Sequence, residues 1–209
     1  MPAVSEEPIV HVVDDDDSLR KAVTRLLRAA GYDVRAYASA GDFALASREK
    51  NRRGCVLLDV RMPGPSGLDL QEVLAKEDEP LPIIFLTAHG DVPTSVRAMK
   101  AGAVDFLTKP IKRDVLLSAI RNALARDLRL HTSHEQRRDL RMRFAKLTPR
   151  EREVFELVVA GRLNKQIAAE LGMAERTVKA HRGQVMAKMQ ATSLAELVHL
   201  ADKMQYGIF

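Results

Sequence analysis

In the N-terminal part of the chain the apolar positions switch repeatedly between two spacings. The runs Pro8–Val13 (PIVHVV), Cys55–Leu58 (CVLL, leading into Asp59) and Pro82–Thr87 (PIIFLT) are apolar almost without a break. That pattern marks strands buried on both faces of a parallel sheet. Asp33–Tyr37 and Val104–Leu107 read as two further strands. Between the strands the spacing becomes helical. Leu19, Ala22, Val23, Leu26, Leu27 and Ala30 line one face of a helix that stops at Gly31, a glycine C-cap, with Asp16, Asp17 or Ser18 as the candidate N-cap. Ala40–Glu49, Leu68–Lys76, Val92–Ala101 and Val115–Leu124 complete the alternation as helices. Five β-α units in succession predict an α/β fold, a doubly wound five-stranded parallel sheet with helices on both faces.

The pattern then changes. Residues 126–146 (RDLRLHTSHEQRRDLRMRFAK) are charged, lack Gly and Pro, and read as an extended or helical linker. Leu128, Leu140 and Phe144 are too sparse for a coiled coil. Thr148-Pro149-Arg150-Glu151 is a helix start with a capping-box pattern, and Val154, Phe155, Leu157 and Val158 give that helix an apolar face ending at Gly161. A short helix over Lys165–Leu171, the turn Gly172-Met173-Ala174 and a longer helix over Glu175–Met189 have a helix-turn-helix outline. Ser193–Met204 adds a fourth, amphipathic helix. A chain of 209 residues favours two domains. The expected organisation is residues 1–126 as an α/β domain, 127–146 as linker and 147–209 as an all-α four-helix domain.

Composition narrows the function classes. Apolar residues make up 46% and charged residues 29%, and no apolar run approaches the ~18 residues of a membrane span. No basic, apolar leader opens the chain, so a cytoplasmic protein without a membrane partner is expected. The one cysteine, Cys55, lies in an apolar run and reads as a core residue, with a catalytic thiol as the minor option. The net charge of +5 is uneven: 18 Lys/Arg balance 18 Asp/Glu through Arg126, whereas residues 127–209 carry 15 against 10. A basic C-terminal part points to a polyanion, most simply nucleic acid.

The strand ends carry the candidate chemistry. In a doubly wound sheet they converge on a crevice where the strand order reverses. Asp14 and Asp15 follow the first strand, Asp59 ends the third, Thr87 ends the fourth and Lys109 follows the fifth. Each alone has an ordinary reading, as a loop cap, a helix cap or a solvated charge. Their coincidence at one edge does not. Three carboxylates suit a hard cation such as Mg²⁺. With Lys109 and Thr87 cradling a phosphoryl group, Asp59 becomes a nucleophile that forms an aspartyl phosphate. The six His lack the spacing of a zinc site. In the basic part, Arg176, Thr177, Lys179, Arg182 and Gln184 are candidates for base edges or phosphates if the Glu175–Met189 helix enters a major groove.

The motifs VVDDD, LLDVRMPGPSG, FLTAHGDVP and KAGAVDFLTKP, in this order, resemble the receiver domain of bacterial two-component response regulators over Met1 to about Arg126. That resemblance implies a flavodoxin-like receiver in which Asp59 is the phosphoacceptor, and Asp15, Asp59 and the Arg61 backbone carbonyl bind Mg²⁺, with Asp14 acting through water. It implies that Lys109 and Thr87 bind phosphoryl oxygens, that Thr87 and Phe106 form the switch, and that Lys109–Pro110 is a cis bond. Phe106 lacks the phenolic hydroxyl of relatives with Tyr there. Residues 147–189, LTPREREVFELVVAGRLNKQIAAELGMAERTVKAHRGQVMAKM, resemble the LuxR-type DNA-binding domain. His181 and Lys165 are then phosphate contacts, Ala174 replaces a common capping Ser, and Gly183 sits mid-helix. Together the halves resemble FixJ-type response regulators. The partners implied are a sensor histidine kinase, double-stranded DNA and RNA polymerase, with homodimerisation on phosphorylation through Val92–Ala101 and Val104–Leu107, and activation of transcription. Enzymatic activity would be confined to self-catalysed phosphoryl transfer onto Asp59 and slow autodephosphorylation. The alternative is an Mg²⁺-dependent phosphatase or phosphotransferase with an Asp nucleophile; haloacid-dehalogenase-like enzymes of that kind want a second Asp where this chain has Arg61. A constitutive DNA-binding protein with a vestigial receiver is a third reading, against which the intact set of five site residues argues.

Overall fold

The chain divides into two compact units, Met1–Thr132 and Ser133–Phe209. The structure, a computed structural model, describes residues 7–46, 53–77, 80–88 and 92–204. In the first unit β1 (Ile9–Val13), α1 (Asp17–Ala29), β2 (Asp33–Tyr37), α2 (Ala40–Ala46), β3 (Gly54–Asp59), α3 (Gly67–Leu74), β4 (Ile83–Thr87), α4 (Val92–Lys100) and β5 (Asp105–Thr108) alternate, followed by α5 (Arg113–Ala145). The expected sheet forms: five parallel strands in the order β2-β1-β3-β4-β5. Strand order reverses between β1 and β3, which opens the crevice above their C-terminal ends. The last residues of the helix expected over Ala40–Glu49, and His89-Gly90-Asp91 of the FLTAHGDVP motif, lie outside the described residues.

Successive side chains on a strand face opposite sides, so each buried strand feeds two cores. Cys55 and Leu57 of β3 pack with Val23 and Leu27 of α1 and Leu116 and Ile120 of α5. Val56 and Leu58 pack with Phe43 of α2, Leu70 of α3 and Ala98 of α4. Asp16 emerges as the cap of α1, accepting from the Ser18 and Leu19 N–H groups. Burial, reinforced by the charge of Asp127, pushes the Cys55 thiol up to about 12. The thiol therefore stays protonated, and Cys55 is a core residue.

With neither Gly nor Pro to interrupt it, α5 runs unbroken for 33 residues, so the stretch from 126 to 145 is helical. The division between the units falls inside this stretch. Asp127 is buried and accepts from Arg53 Nε at 2.8 Å. Phe144, near the end of α5, meets Phe155 edge-on at 5.2 Å between centroids.

The second unit adds α6 (Pro149–Val159), α7 (Asn164–Leu171), α8 (Glu175–Met189) and α9 (Leu194–Lys203). Val154, Phe155, Ile167, Val178, Val185 and Leu197 form its core. Gly172, at φ +64°, caps α7 in the left-handed region and turns the chain into α8. Among the described residues no helix is long and apolar enough to cross a membrane.

Thr148 and Glu151 form the expected capping box of α6. Glu151 also reaches α8: Lys188 Nζ donates to both its oxygens at 2.9 and 2.7 Å. The Lys188 hydrogen bonds, then the one from the Thr148 N–H, hold this carboxyl below its ordinary value. A depressed carboxyl adds stability above its unfolded pKa and loses it as pH falls through the folded one. Glu151→Gln is expected to lower stability at pH 7 by about 1–2 kcal/mol. The gap from wild type should close as pH drops below the ordinary 4.5, as followed by urea unfolding of both proteins. A gap that persists in acid would assign the effect to packing and not to charge.

Candidate acidic site and nucleic-acid interface

The C-terminal ends of β1 and β3 bring Asp14, Asp15 and Asp59 together, with one carboxylate oxygen from each within 4.8 Å of the others. Asp14 and Asp59 are buried, while Asp15 is exposed. From the end of β5, Lys109 Nζ bridges the buried pair, donating to Asp14 Oδ2 at 2.8 Å and Asp59 Oδ2 at 2.6 Å. The second oxygens are held by backbone: the Asp16 N–H donates to Asp14 Oδ1 at 2.9 Å and the Arg61 N–H to Asp59 Oδ1 at 3.1 Å. Thr87 is buried at the end of β4, and its carbonyl accepts from the Lys109 N–H at 2.7 Å. The Lys109–Pro110 bond is cis. Phe106 on β5 is partly buried and lies 6.1 Å from Phe85 between ring centroids.

Burial is the largest single influence on the charges of Asp14 and Lys109 in this cluster. Burial raises the Asp14 carboxyl above its ordinary value and outweighs the lowering by Lys109 and the Asp16 N–H. Burial alone would lower the Lys109 ammonium, but hydrogen bonds to Asp14 and Asp59 and their charges prevail and hold it above its ordinary value. Lys109 therefore stays cationic while facing two acids. One ammonium offsets only part of three carboxylates, so the donor set, all hard oxygen, fits a divalent cation such as Mg²⁺. Arg20 escaped the sequence reading. From α1 it donates to the Asp14 carbonyl at 2.6 Å and to Asp17 Oδ1 at 2.7 Å, so it pins the acidic loop. Its signal is only a one-turn spacing from Asp17, which any surface helix shows.

In the second unit, α8 buries Val178, Val185 and Met189 and turns Arg176, Lys179, Gly183 and Gln184 to solvent. Thr177, His181 and Arg182 are half-buried at the flanks of that face, and Lys165 is exposed on α7. Arg182 is tethered: its Nη1 donates to Asn164 Oδ1 at 3.1 Å. Gly183 has ordinary helical backbone, and a Cβ there would meet nothing within 4 Å. Ala174, the N-cap of α8, provides no side-chain cap. Ala174→Ser is therefore expected to stabilise the second unit by about 1 kcal/mol, read as a higher urea midpoint. An unchanged midpoint would mean that the Ser hydroxyl fails to reach the free N–H groups.

An acidic crevice at the switch point of a β2-β1-β3-β4-β5 sheet, followed by a helix-turn-helix, defines the class of DNA-binding receiver proteins. The chain matches the response regulator receiver domain family over residues 10–121 and the luxR family of bacterial regulatory proteins over residues 145–201. It is 48% identical to nodulation protein W of Bradyrhizobium diazoefficiens, over 95% of this chain and 87% of that protein. It is 44% identical to the transcriptional regulatory protein FixJ of Azorhizobium caulinodans, over 92% and 90%. The solved structure of the response regulator StyR aligns with a TM-score of 0.81 at 48% identity, over 94% of this chain and 99% of that one. The chain thus belongs to the FixJ-type response regulators, DNA-binding proteins of two-component systems with a LuxR-type effector domain. FixJ is a transcriptional regulator by name, and the phosphatase alternative finds no support among these relatives.

Proposed function

We propose that this cytoplasmic regulator is switched by phosphorylation of Asp59 by a sensor histidine kinase. The observation that carries the reading is the Lys109 ammonium held between Asp14 and Asp59. A carboxylate oxygen of Asp59 attacks phosphorus in line, and the new O–P bond forms as the bond from phosphorus to the kinase histidine nitrogen breaks, with the electron pair leaving on that nitrogen. Asp14, Asp15, Asp59 and the Arg61 carbonyl would hold Mg²⁺, which neutralises charge on the transferring group. Lys109 follows the negative charge from the Asp59 carboxylate onto a phosphoryl oxygen. The Thr87 hydroxyl donates to another, and movement at the end of β4 reaches Phe106 through the adjacent strand.

The division of labour is a receiver over residues 1–126, a helical linker over 127–146 and a DNA-binding domain over 147–209. Phosphorylation favours a homodimer through α4 and β5, and Val92, Val96 and Met99 of α4 are exposed. The dimer presents two α8 helices to two half-sites and activates transcription by engaging RNA polymerase. In this reading Arg176, Lys179 and Gln184 face base edges, while Lys165, Thr177, His181 and Arg182 serve the backbone.

The test is intact-mass analysis after incubation with Mg²⁺ and acetyl phosphate. One phosphoryl adduct, lost when EDTA is present, is the expected result. No adduct under conditions that label an established receiver would overturn the phosphorylation switch.

A further inference from the structure

Arg182 occupies an unusual place for a residue of a DNA-contacting helix. It follows buried Val178 by four positions and precedes buried Val185 by three, which turns it from the exposed face of α8 towards α7. There its Nη1 donates to Asn164 Oδ1 at 3.1 Å, 18 residues away in sequence. Asn164 is the first residue of α7. Lys165 beside it is exposed, and the first turn of α7 carries no acidic side chain. The guanidinium has five N–H donors, and the Asn164 oxygen takes one. Those that remain form a fork suited to a phosphodiester.

We infer that Asn164 is a positioning residue that holds the Arg182 guanidinium at the start of α7 as a clamp for a DNA phosphate. This rests on the reading of α8 as the DNA-contacting helix. In a helix-turn-helix the first helix crosses the backbone while the second lies in the groove. A cation tied to the first turn of α7 is therefore placed for phosphate, and base reading falls to Arg176, Lys179 and Gln184. Preorganisation gives Asn164 its effect, because a tethered Arg loses less side-chain freedom on binding.

The experiment measures binding of the full chain to mixed-sequence duplex DNA by fluorescence anisotropy across salt concentrations. Such DNA is a suitable probe because phosphate contacts ignore sequence. Arg182→Ala should reduce the slope of log affinity against log salt by about 0.9, one phosphate contact. Asn164→Ala should weaken binding about two- to tenfold, and this loss should largely vanish in the Arg182→Ala background. Asn164→Asp guards against misfolding, since an acid in the first turn of α7 favours the helix. It should keep or raise the melting temperature while weakening binding, because the new carboxylate pairs with the Arg182 charge and draws it from the phosphate; the coupling to Arg182 is read from Asn164→Ala. A merely structural Asn164 would lower melting temperature, leave the salt slope alone and add its effect to that of Arg182→Ala; additivity or an unchanged slope in Arg182→Ala overturns the clamp. Lys179→Ala separates the two levels: if it weakens binding while Asn164 changes do not, only the clamp fails. If neither Lys179 nor Arg182 matters, the reading of α8 fails.

Discussion

Asp59→Ala is expected to abolish phosphoryl labelling entirely and, with it, any gain in DNA affinity produced by a phosphodonor. The remaining acids cannot substitute. Asp14 is more deeply buried than Asp59, and that burial raises its carboxyl and favours the protonated form, which is a poor nucleophile. Asp15 is exposed at the rim of the cluster, and Lys109 is held by Asp14 and Asp59 instead. The variant should still fold. Lys109 keeps Asp14 as a partner at 2.8 Å, and removing one of two crowded buried acids relieves repulsion, so the stability change should stay within about 1–2 kcal/mol. In the wild type, phosphorylation should tighten binding to a duplex selected from a random pool by about 5–150-fold, the usual span of coupling between two sites. In Asp59→Ala the ratio should be one. Intact mass and anisotropy, run on the same samples with acetyl phosphate, read both outcomes. A phosphoryl adduct on the variant would move the nucleophile to another residue.

The layers of the fold were legible because each level of pattern agreed with the next. Strands ran into polar residues, α1 and α6 began at capping side chains, and the apolar spacing changed at those same points. The site was legible for the same reason: parallel strands deliver their C-terminal residues to one edge, so a list of strand ends was already a list of neighbours. Contacts between distant positions with no local signature were not legible. Arg53 and Asp127 pair across 74 residues, and each sits in a segment that reads as solvated charge. Glu151 showed its capping role but not its bond to Lys188, 37 residues on. Arg182 is the instructive case, because its signal was present. Its spacing from Val178 and Val185 places it beside the core, whereas its basic character matches that of the exposed Arg176 and Lys179.

Gly67→Ala is expected to damage stability and labelling together, because this glycine is where the fold supports the site. A Cβ on Gly67 would lie 2.2 Å from the carbonyl oxygen of Asp59 and 3.1 Å from Phe85 Cε1. Neither neighbour yields easily. Phe85 is fully buried, and Asp59 closes β3, whose register with β4 is fixed through Asp59 and Leu86. The Gly67 N–H also donates to the Val60 carbonyl at 3.1 Å, which holds the start of α3 against the loop leaving Asp59. Relief of the clash therefore requires that loop to move, and the Asp59 carboxylate with it. The expected cost is about 2–4 kcal/mol, with labelling by acetyl phosphate slowed at least ~10-fold, since displacement of a reacting group by an ångström can cost 10²-fold. Gly64→Ala is the matched control. It lies in the same loop at φ +82° with nothing within 4 Å of a Cβ, so it should cost about 1–2 kcal/mol of backbone strain and leave the labelling rate unchanged. Equal labelling rates in the two variants would mean that the loop absorbs the Gly67 methyl without moving Asp59.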